Sequence, residues 1–137
     1  MNKIIIKPLE SFNEISFGTK REVIWEKIGN PKNSFKKTQD SVSETDDYND
    51  FHIYYDENYC FEAIEIFGNV EIYYNNDQIS NKYSEVLEYF KKTFNDIEED
   101  EYGFITKEGS IGVYIENDDN NVDAILFGKK GYYDFID

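Results

Sequence analysis

Apolar residues recur with a helical period in two parts of the chain, and the first part spans residues 20–28. Its apolar stripe consists of Val23, Ile24 and Ile28. Threonine is one of the residues preferred at the N-cap position, so Thr19 is suited to that place. Glu22, three residues later, can complete a capping box. Gly29 suits a left-handed C′ position, and Pro31 prevents the helix from continuing. The sequence therefore predicts a short helix with capping residues at both ends.

A second helical period spans residues 82–93. The apolar positions i, i+3, i+4 and i+7 are Tyr83, Val86, Leu87 and Phe90. Ser80 or Asn81 is suited to the N-cap position. This spacing places one apolar stripe along the helix, and we expect that stripe to pack against a core.

Before, between and after the helices, apolar and polar residues alternate with the period of a strand. The predicted strands are 3–7, 34–38, 51–56, 61–67, 70–74, 102–107, 111–116 and 122–127. Residues 39–50 are polar, acidic and without periodicity, which predicts a surface loop. Helices separated by antiparallel hairpins are typical of an α+β fold. We expect one domain over residues 1–137, in which an antiparallel sheet carries both helices on one face.

The two helix-and-strand units share local sequence. The matching segments are 53–56 with 113–116, at a spacing of 60, and 62–64 with 123–125, at a spacing of 61. A one-residue difference in a turn would explain the change in spacing. The sequence thus predicts a tandem repeat of a helix followed by hairpins, with copies at 17–75 and 79–128.

Charge is distributed unevenly along the chain, whose formal net charge is -15. Residues 1–38 hold 8 Lys or Arg and 4 Asp or Glu, whereas residues 39–137 hold 6 and 25. No Lys or Arg lies between Lys37 and Lys82. Such a surface repels nucleic acid and anionic membranes, and it speeds the capture of a basic partner. The alternative interpretation is that the acidity serves only solubility.

Residues with catalytic or metal-binding chemistry are few. His52 is the only histidine and lies in a strand pattern, and the chain has no nucleophile-elbow motif that a catalytic triad could use. Cys60 is the only cysteine, and one His with one Cys cannot supply a typical zinc ligand set. The oxygen-rich run 116–121 lacks the glycine and the terminal glutamate of an EF-hand loop. We therefore predict no catalytic residue, no metal site and no cofactor.

Acidic residues beside tyrosines are the most distinctive combination in the sequence. Tyrosine offers a large contact area with few rotatable bonds, and carboxylates around it orient a cationic partner. In each of the pairs at 54–55 and 73–74, one tyrosine must face away from the helices. We assign Tyr55 and Tyr73 to that outward position. The predicted partner-binding residues are Asp46, Asp47, Tyr48, Asp50, Tyr55, Tyr73, Glu98, Glu99, Asp100, Glu101 and Tyr102.

The first helix and its flanks lie in a stretch that runs from Gly18-Thr19-Lys20-Arg21-Glu22-Val23 to Ile28-Gly29-Asn30-Pro31. This stretch resembles the helix opening of small α+β modules in the β-lactamase inhibitor protein and in outer-membrane assembly lipoproteins of the SmpA/OmlA type. The tandem plan of helix and strands is similar to the inhibitor's duplicated architecture. That resemblance implies a concave sheet that binds another protein. In size, acidity and tyrosine content the chain also resembles bacterial immunity proteins, which neutralise toxins.

Together these features predict a non-enzymatic, protein-binding inhibitor of the immunity type. Its partner would be a basic protein, such as a co-encoded toxin domain, occluded by carboxylates that take the place of the phosphates of a nuclease substrate. Two alternatives stay open: a housekeeping or structural domain, and an enzyme that uses dispersed carboxylates. A single cysteine, no secretory signal pattern and no membrane-spanning apolar run lead us to expect a cytoplasmic location.

Overall fold

The structure of the protein is a computed structural model that describes residues 3–68 and 70–136. Its helices are α1 (Arg21–Ile28) and α2 (Tyr83–Thr93). Its strands are β1 (Lys3–Lys7), β2 (Ser11–Phe12), β3 (Ile15–Ser16), β4 (Asn33–Phe35), β5 (Thr45–Asp47), β6 (Phe51–Tyr55), β7 (Phe61–Phe67), β8 (Glu71–Tyr74), β9 (Asp77–Ile79), β10 (Glu98–Asp100), β11 (Gly103–Thr106), β12 (Ile111–Tyr114) and β13 (Ala124–Gly128). The sheet structure is mostly antiparallel, so the predicted α+β class is confirmed. Neither helix of the described residues has the length and apolar character needed to cross a membrane.

The strands form two sheets, so the expectation of a single sheet is wrong. The larger sheet has eight strands in the order β10-β11-β12-β13-β7-β6-β5-β4, with antiparallel pairing throughout. The smaller has five strands in the order β3-β2-β1-β8-β9, and its β1–β8 pair is parallel. Because β1 and β8 are distant in the sequence, no hairpin signal indicates that they pair.

One core cluster joins side chains from both sheets and both helices. The helices contribute Ile24, Val86 and Phe90, all at 0% exposure. The strands contribute mainly isoleucine, valine and phenylalanine, among them Ile4, Ile6, Ile53, Ile64, Ile66, Ile72, Phe104, Val113, Ile125 and Phe127. Burial of these apolar side chains is the main favourable contribution to folding.

Each helix begins one residue later than the sequence predicts, and neither has a side-chain N-cap. Lys20 and Lys82 hold the N-cap positions without a side-chain cap hydrogen bond. The hydroxyl of Thr19 donates instead to a backbone carbonyl three residues earlier, at 2.7 Å, so the predicted capping box is absent. The backbone takes over this role, because the amide of Arg21 donates to the carbonyl of Tyr59 at 3.0 Å.

The polar segment 39–50 is not a surface loop along its whole length. Its residues Thr45–Asp47 form β5, which pairs with both β4 and β6, and the first two of them are buried. Short strands also occur at Asp77–Ile79 and Glu98–Asp100, which are not among the predicted strands. These three-residue strands consist mainly of polar residues and lack the apolar alternation that marks a strand, so the sequence pattern does not predict them.

The two halves of the eight-stranded sheet have the same order of elements. Helix α1 is followed by β4–β7 and helix α2 by β10–β13, and the last strands of the halves, β7 and β13, pair at the centre. The registers correspond, since Ile53 pairs with Ile64 and Val113 pairs with Ile125. These are the positions related by spacings of 60 and 61 in the sequence.

The starts of the two helices correspond as well. An isolated bridge joins Lys20 to Cys60, and another joins Lys82 to Asn121. In both places the amide of the first helical residue donates to the carbonyl just before the bridge partner, at 3.0 Å. The halves are thus alike in topology, while their origin from one duplicated unit stays a prediction.

The C-terminal segment 129–136 packs on the outer face, the side of the eight-stranded sheet that carries Tyr54, Ala63 and Leu126. These three residues form a separate cluster with Tyr133 of the segment. A Cβ at Gly112 would meet the hydroxyls of Tyr114 and Tyr133, so glycine leaves room for the segment. The segment lines two clefts, one through Lys129 and Tyr132 and the other through Ile136.

Candidate functional site

Asp46, predicted as a partner-binding residue, lies inside the fold between α1 and strands β4–β6, with 0% of its surface exposed. Its carboxylate accepts hydrogen bonds from Arg21 (2.6 and 3.1 Å), Trp25 (2.8 Å), Ser34 (2.8 Å) and Tyr55 (2.7 Å). We call these five residues the Arg21–Asp46 cluster. A carboxylate whose acceptor sites are filled within the protein is not available to a partner. The expectation that Asp46 and Tyr55 lie on the binding surface is therefore corrected.

The electrostatics of the Arg21–Asp46 cluster fit a structural role. Burial favours the neutral form of Asp46, but hydrogen bonds from Arg21, Trp25, Tyr55 and Ser34 outweigh it, so the pKa of Asp46 lies below its usual value. Burial and the bond to Asp46 raise the pKa of Tyr55, whose hydroxyl remains a donor. The guanidinium of Arg21 also lies 4.6 Å from the centroid of the Trp25 ring. The cluster fixes the first turn of α1 against β5.

The residues that follow Asp46 in the acidic segment 46–50 are partly packed against the fold and partly exposed to solvent. Asp47 is half-buried, and its Oδ1 lies 3.5 Å from Nε2 of His52. Tyr48 is half-buried too and donates its hydroxyl to the carbonyl of Gly29 at 2.8 Å. Asp50 is exposed. This segment therefore offers a partner little more than Asp50 and part of Asp47.

The two tyrosine pairs differ in which member faces outward. In β6, Tyr55 points into the core and Tyr54 lies on the outer face, so the sequence-based assignment of Tyr55 to the outward position is wrong. In β8, Tyr74 is buried, whereas Tyr73 is half-buried with the ammonium of Lys3 at 5.1 Å from its ring centroid. The alternation requires one outward residue per pair, but it does not say which one.

The second acidic segment, 98–102, lies at an accessible edge of the eight-stranded sheet. Strand β10 is the last strand at this edge, and all three of its residues are exposed. Glu98 pairs with Ile105, and Asp100 pairs with Gly103, which is itself paired with Tyr114. Since paired residues share a face, the carboxylates of Glu98 and Asp100 stand beside Ile105 and Tyr114 on the outer face.

A cleft of about 310 Å³ opens between this strand and the C-terminal segment. We call it the edge cleft: Glu98 and Asp100 form its rim, and Ile105, Tyr114 and Ile136 form its floor. Among the residues that the structure describes, no Lys, Arg or His lies within ion-pair distance of either rim carboxylate. The edge cleft can accept a cationic side chain whose aliphatic stem packs on the apolar floor.

The remaining residues of the segment have different surroundings. Glu99 faces the opposite side of the sheet and accepts the hydroxyl of Tyr83 at 2.9 Å. Burial, together with this bond, raises the pKa of Tyr83. Glu101 is exposed, and Tyr102 lines the edge cleft with 65% of its surface exposed. Tyr102 is thus the aromatic residue of the segment that is free to contact a partner.

Sequence reasoning missed the apolar floor of the edge cleft. Ile105 and Tyr114 lie in predicted strands, and alternation along 102–107 and 111–116 puts them on the side opposite Phe104 and Val113. This alternation is the sequence signal that indicates an apolar surface beside the acidic residues 98–101. Ile136 belongs to an irregular segment and carries no such signal.

Other residues with reactive side chains have structural surroundings. The ring of His52 lies between those of Phe35 (5.4 Å) and Phe67 (4.7 Å), and Cys60 is half-buried beside the start of α1. Within residues 3–68 and 70–136, no group of three or more His, Cys, Asp and Glu side chains is arranged to hold a metal ion. Comparison with protein-family models, with curated proteins and with solved structures finds no match for this chain.

Proposed function

We propose that the protein is a non-enzymatic inhibitor of the immunity type, which binds a basic protein partner through the edge cleft. The observation that carries this proposal is the pair of rim carboxylates, Glu98 and Asp100. In the described part of the chain they have no cationic partner of their own, and they stand over an apolar floor. An acidic rim around an apolar centre fits a lysine or arginine side chain better than it fits a neutral or acidic one.

Charge and apolar contact contribute to different steps of binding. The net charge of -15 attracts a basic protein over a distance and accelerates association. Within the edge cleft, the cationic group meets Glu98 and Asp100 while its methylene stem covers Ile105 and Tyr114. Tyr102 adds contact area beside the rim. Dissociation is then governed by the desolvated centre, and the partner is inhibited because its basic substrate-binding surface is covered.

We further infer that residues 17–75 and 79–128 are copies of one unit, with both helices on the core side of the large sheet. The common order of elements and the matching registers support this. Asp46 pairs with Ile53 as Phe104 pairs with Val113, so Asp46 and Phe104 hold corresponding positions. In the first unit, Arg21 forms an ion pair with Asp46. In the second unit the corresponding contact is between two rings, those of Tyr83 and Phe104, whose centroids are 5.9 Å apart. We infer that the first unit uses its acidic group for stability, while the second leaves its edge free to bind.

A cytoplasmic location is also part of the proposal. Its support is Cys60, a free thiol in a chain with one cysteine, because reducing compartments keep such thiols unpaired.

Binding kinetics test the proposal, with the product of the neighbouring gene immobilised as the first candidate partner. The double variant Glu98→Gln/Asp100→Asn removes the rim charges. Glu22→Gln/Glu26→Gln on α1 is the matched control, because both residues are exposed and the change in net charge is the same. We expect the rim variant to weaken binding by about 5- to 30-fold, chiefly through slower association, and the control to have a smaller effect.

Two results would contradict the proposal. Equal effects of the rim variant and the control would remove the edge cleft from the interface. An acidic partner, or an association rate that does not change with salt, would exclude the electrostatic mechanism. If no basic protein binds, the alternative of a structural domain whose acidity serves solubility is favoured.

A further inference from the structure

A second cleft is lined by Lys129 and Tyr132 of the C-terminal segment, by residues that follow β4, and by residues of β5 and β6. Its volume is about 480 Å³, and the rings of Tyr54 and Tyr132 form part of its wall. We call it the tyrosine cleft. Its acidic side chains are Asp56, Glu57 and Glu62, and its basic ones are Lys37 and Lys129.

The two lysines of the tyrosine cleft are held differently. Lys129 is paired with Glu62 at 3.6 Å. Lys37 has no carboxylate within ion-pair distance among the described residues, and its ammonium lies over the ring of Tyr54, 4.4 Å from the centroid. Lys37 is therefore a cation held by an aromatic face.

The ring of Tyr54 is fixed in position and lies beside a carboxylate, and both features favour the binding of a cation. Its hydroxyl donates to the carboxylate of Glu65, on the neighbouring strand β7. Burial and Glu65 raise the pKa of Tyr54, so the phenol stays protonated and keeps this bond. The bond fixes the ring on the outer face and brings a negative charge close to it, and both effects favour a cation on the ring.

Lys37 is loosely bound in this position. It follows the short edge strand β4 and is exposed to solvent, as are the residues after it as far as Asp40. An ammonium at an exposed site gains little from an aromatic ring, so another cation can displace it. Nearby, Val42 lines the cleft with 71% of its surface exposed, which leaves an apolar contact open to a partner.

We propose that the tyrosine cleft is a binding site for an arginine or lysine side chain of a protein partner, and that Lys37 occupies this site in the free protein. The partner's basic side chain displaces Lys37 from Tyr54, and Val42 contacts the partner's neighbouring residues. The net charge of the chain favours a basic protein as the occupant. That choice rests on the proposed function, whereas the affinity of the cleft for a cation does not.

The experiment follows the ring signals of Tyr54 by NMR in the full chain. The probe is acetyl-Gly-Arg-Gly-amide, and the same peptide with citrulline in place of arginine is the uncharged control. The variants are Lys37→Ala and Lys36→Ala. Both remove one positive charge from the same segment, but only Lys37 lies over a ring. The comparison therefore separates displacement from a general change in charge.

We expect the arginine peptide to shift the Tyr54 signals and the citrulline peptide to leave them unchanged. The dissociation constant from these signals should be about two- to fivefold lower for Lys37→Ala than for Lys36→Ala, which is the effect of removing an exposed cation–π competitor. In the Lys37→Ala background, Tyr54→Leu should abolish binding at this position, which the ring signals of Tyr132 in the wall of the same cleft report.

Equal dissociation constants for the two lysine variants would overturn the proposal, as would arginine-dependent shifts that leave Tyr54 unaffected. If Tyr54→Leu does not fold, the comparison of the lysine variants still decides. The Tyr54 signals report on the tyrosine cleft alone, although the edge cleft can bind the peptide as well. A negative result here with a positive result for the Glu98→Gln/Asp100→Asn variant would reject the tyrosine cleft alone.

Discussion

At the scale of single residues, Asp46 combines complete burial with a full set of hydrogen bonds. Its partner Arg21 keeps 16% of its side chain exposed, so only one member of the ion pair is fully removed from water. A buried pair contributes little over an apolar substitute, yet losing one member leaves the other uncompensated. The Arg21–Asp46 cluster should therefore respond strongly to a single substitution.

We predict that Asp46→Asn lowers the free energy of unfolding by about 3 kcal/mol at pH 7, the lower end of the range for breaking a buried pair. The reason is that Arg21 loses its counterion and the amide cannot accept all the hydrogen bonds. Denaturant unfolding measures the change. Asp50→Asn is the matched control, because Asp50 is exposed and should change stability by less than about 0.5 kcal/mol. Equal losses for both variants would contradict the structural role of Asp46.

We also predict that the difference between wild type and Asp46→Asn depends on pH. The pKa of Asp46 is lower in the folded protein than in the unfolded chain, where it is about 3.9. The ionised group therefore stabilises the fold above that value, and this contribution is lost as the pH falls through the folded-state pKa. Unfolding at pH 7 and pH 3 should show a smaller difference at pH 3. A constant difference would mean that the charge of Asp46 contributes nothing.

The sequence does not reveal this role because the partners of Asp46 are distant along the chain. Asp46 sits in an acidic run that is indistinguishable from a solvated surface segment, and Arg21 lies 25 residues before it. One local clue exists, since Arg21 and Trp25 are four residues apart and share a helix face. A polar stripe of that kind indicates a buried polar contact, but it does not identify the acid that completes it.

Gly29 ends α1 with φ 89° and ψ 176°, a conformation essentially restricted to glycine. We predict that Gly29→Ala lowers the free energy of unfolding by about 1–3 kcal/mol, through backbone strain alone, because an added Cβ would meet nothing within 4 Å. A thermal melt measures the loss. Gly29→Asn should be no better than alanine, since asparagine favours a left-handed conformation with a much smaller ψ. An unchanged melting temperature for Gly29→Ala would show that the helix end relaxes freely.

At the scale of elements, the long apolar strands were the most predictable part of the fold. Strand β7 occupies the predicted residues 61–67, and both helices lie within one residue of their predicted starts. Alternation and helical spacing are local signals, so they determine such elements well. The position of the C-terminal segment on the outer face is set by contacts between distant residues, which local patterns do not report.

Gly112 provides a test of how tightly that segment is held. We predict that Gly112→Ala destabilises the fold by about 1–3 kcal/mol, because the added Cβ meets the hydroxyls of Tyr114 and Tyr133 and pushes the segment away. Denaturant unfolding measures the loss, and faster hydrogen exchange at the Tyr132 amide, which bonds to the Lys129 carbonyl at 3.0 Å, shows where it occurs.

The control for this prediction is the Tyr114→Phe/Tyr133→Phe background, which lacks both hydroxyls. There the same glycine substitution should be less damaging, because the closest contacts of the new Cβ are gone. An equal loss in both backgrounds would place the strain in the sheet itself and not at the contact with the C-terminal segment.

At the scale of the whole molecule, the acidic side chains fall into two parts, which have different consequences for stability and binding. Some carboxylates, such as those of Asp46 and Asp96, accept several hydrogen bonds, and although burial opposes ionisation these bonds hold their pKa values below normal. The rim carboxylates Glu98 and Asp100 lie on the outermost strand of the large sheet, and in the part of the chain that the structure describes they have no cationic partner. The first part stabilises the fold. The second, in which Asp100 accepts one hydrogen bond from the backbone amide of Tyr102 at 2.8 Å, mainly adds to the self-repulsion of a molecule with net charge -15.

This division predicts that stability and binding respond to the rim in opposite directions. Glu98→Gln/Asp100→Asn should raise the melting temperature by about 2 °C at low ionic strength, because it removes like charges from one edge. The gain should disappear in about 0.5 M salt, where such repulsion is screened. The same variant should bind a basic partner more weakly. A rim that lowers stability while it increases affinity has the character of a binding site. If the variant melts at a lower temperature, the two carboxylates stabilise the fold. That result would favour the interpretation that the acidity serves structure and solubility over the interpretation that it serves binding.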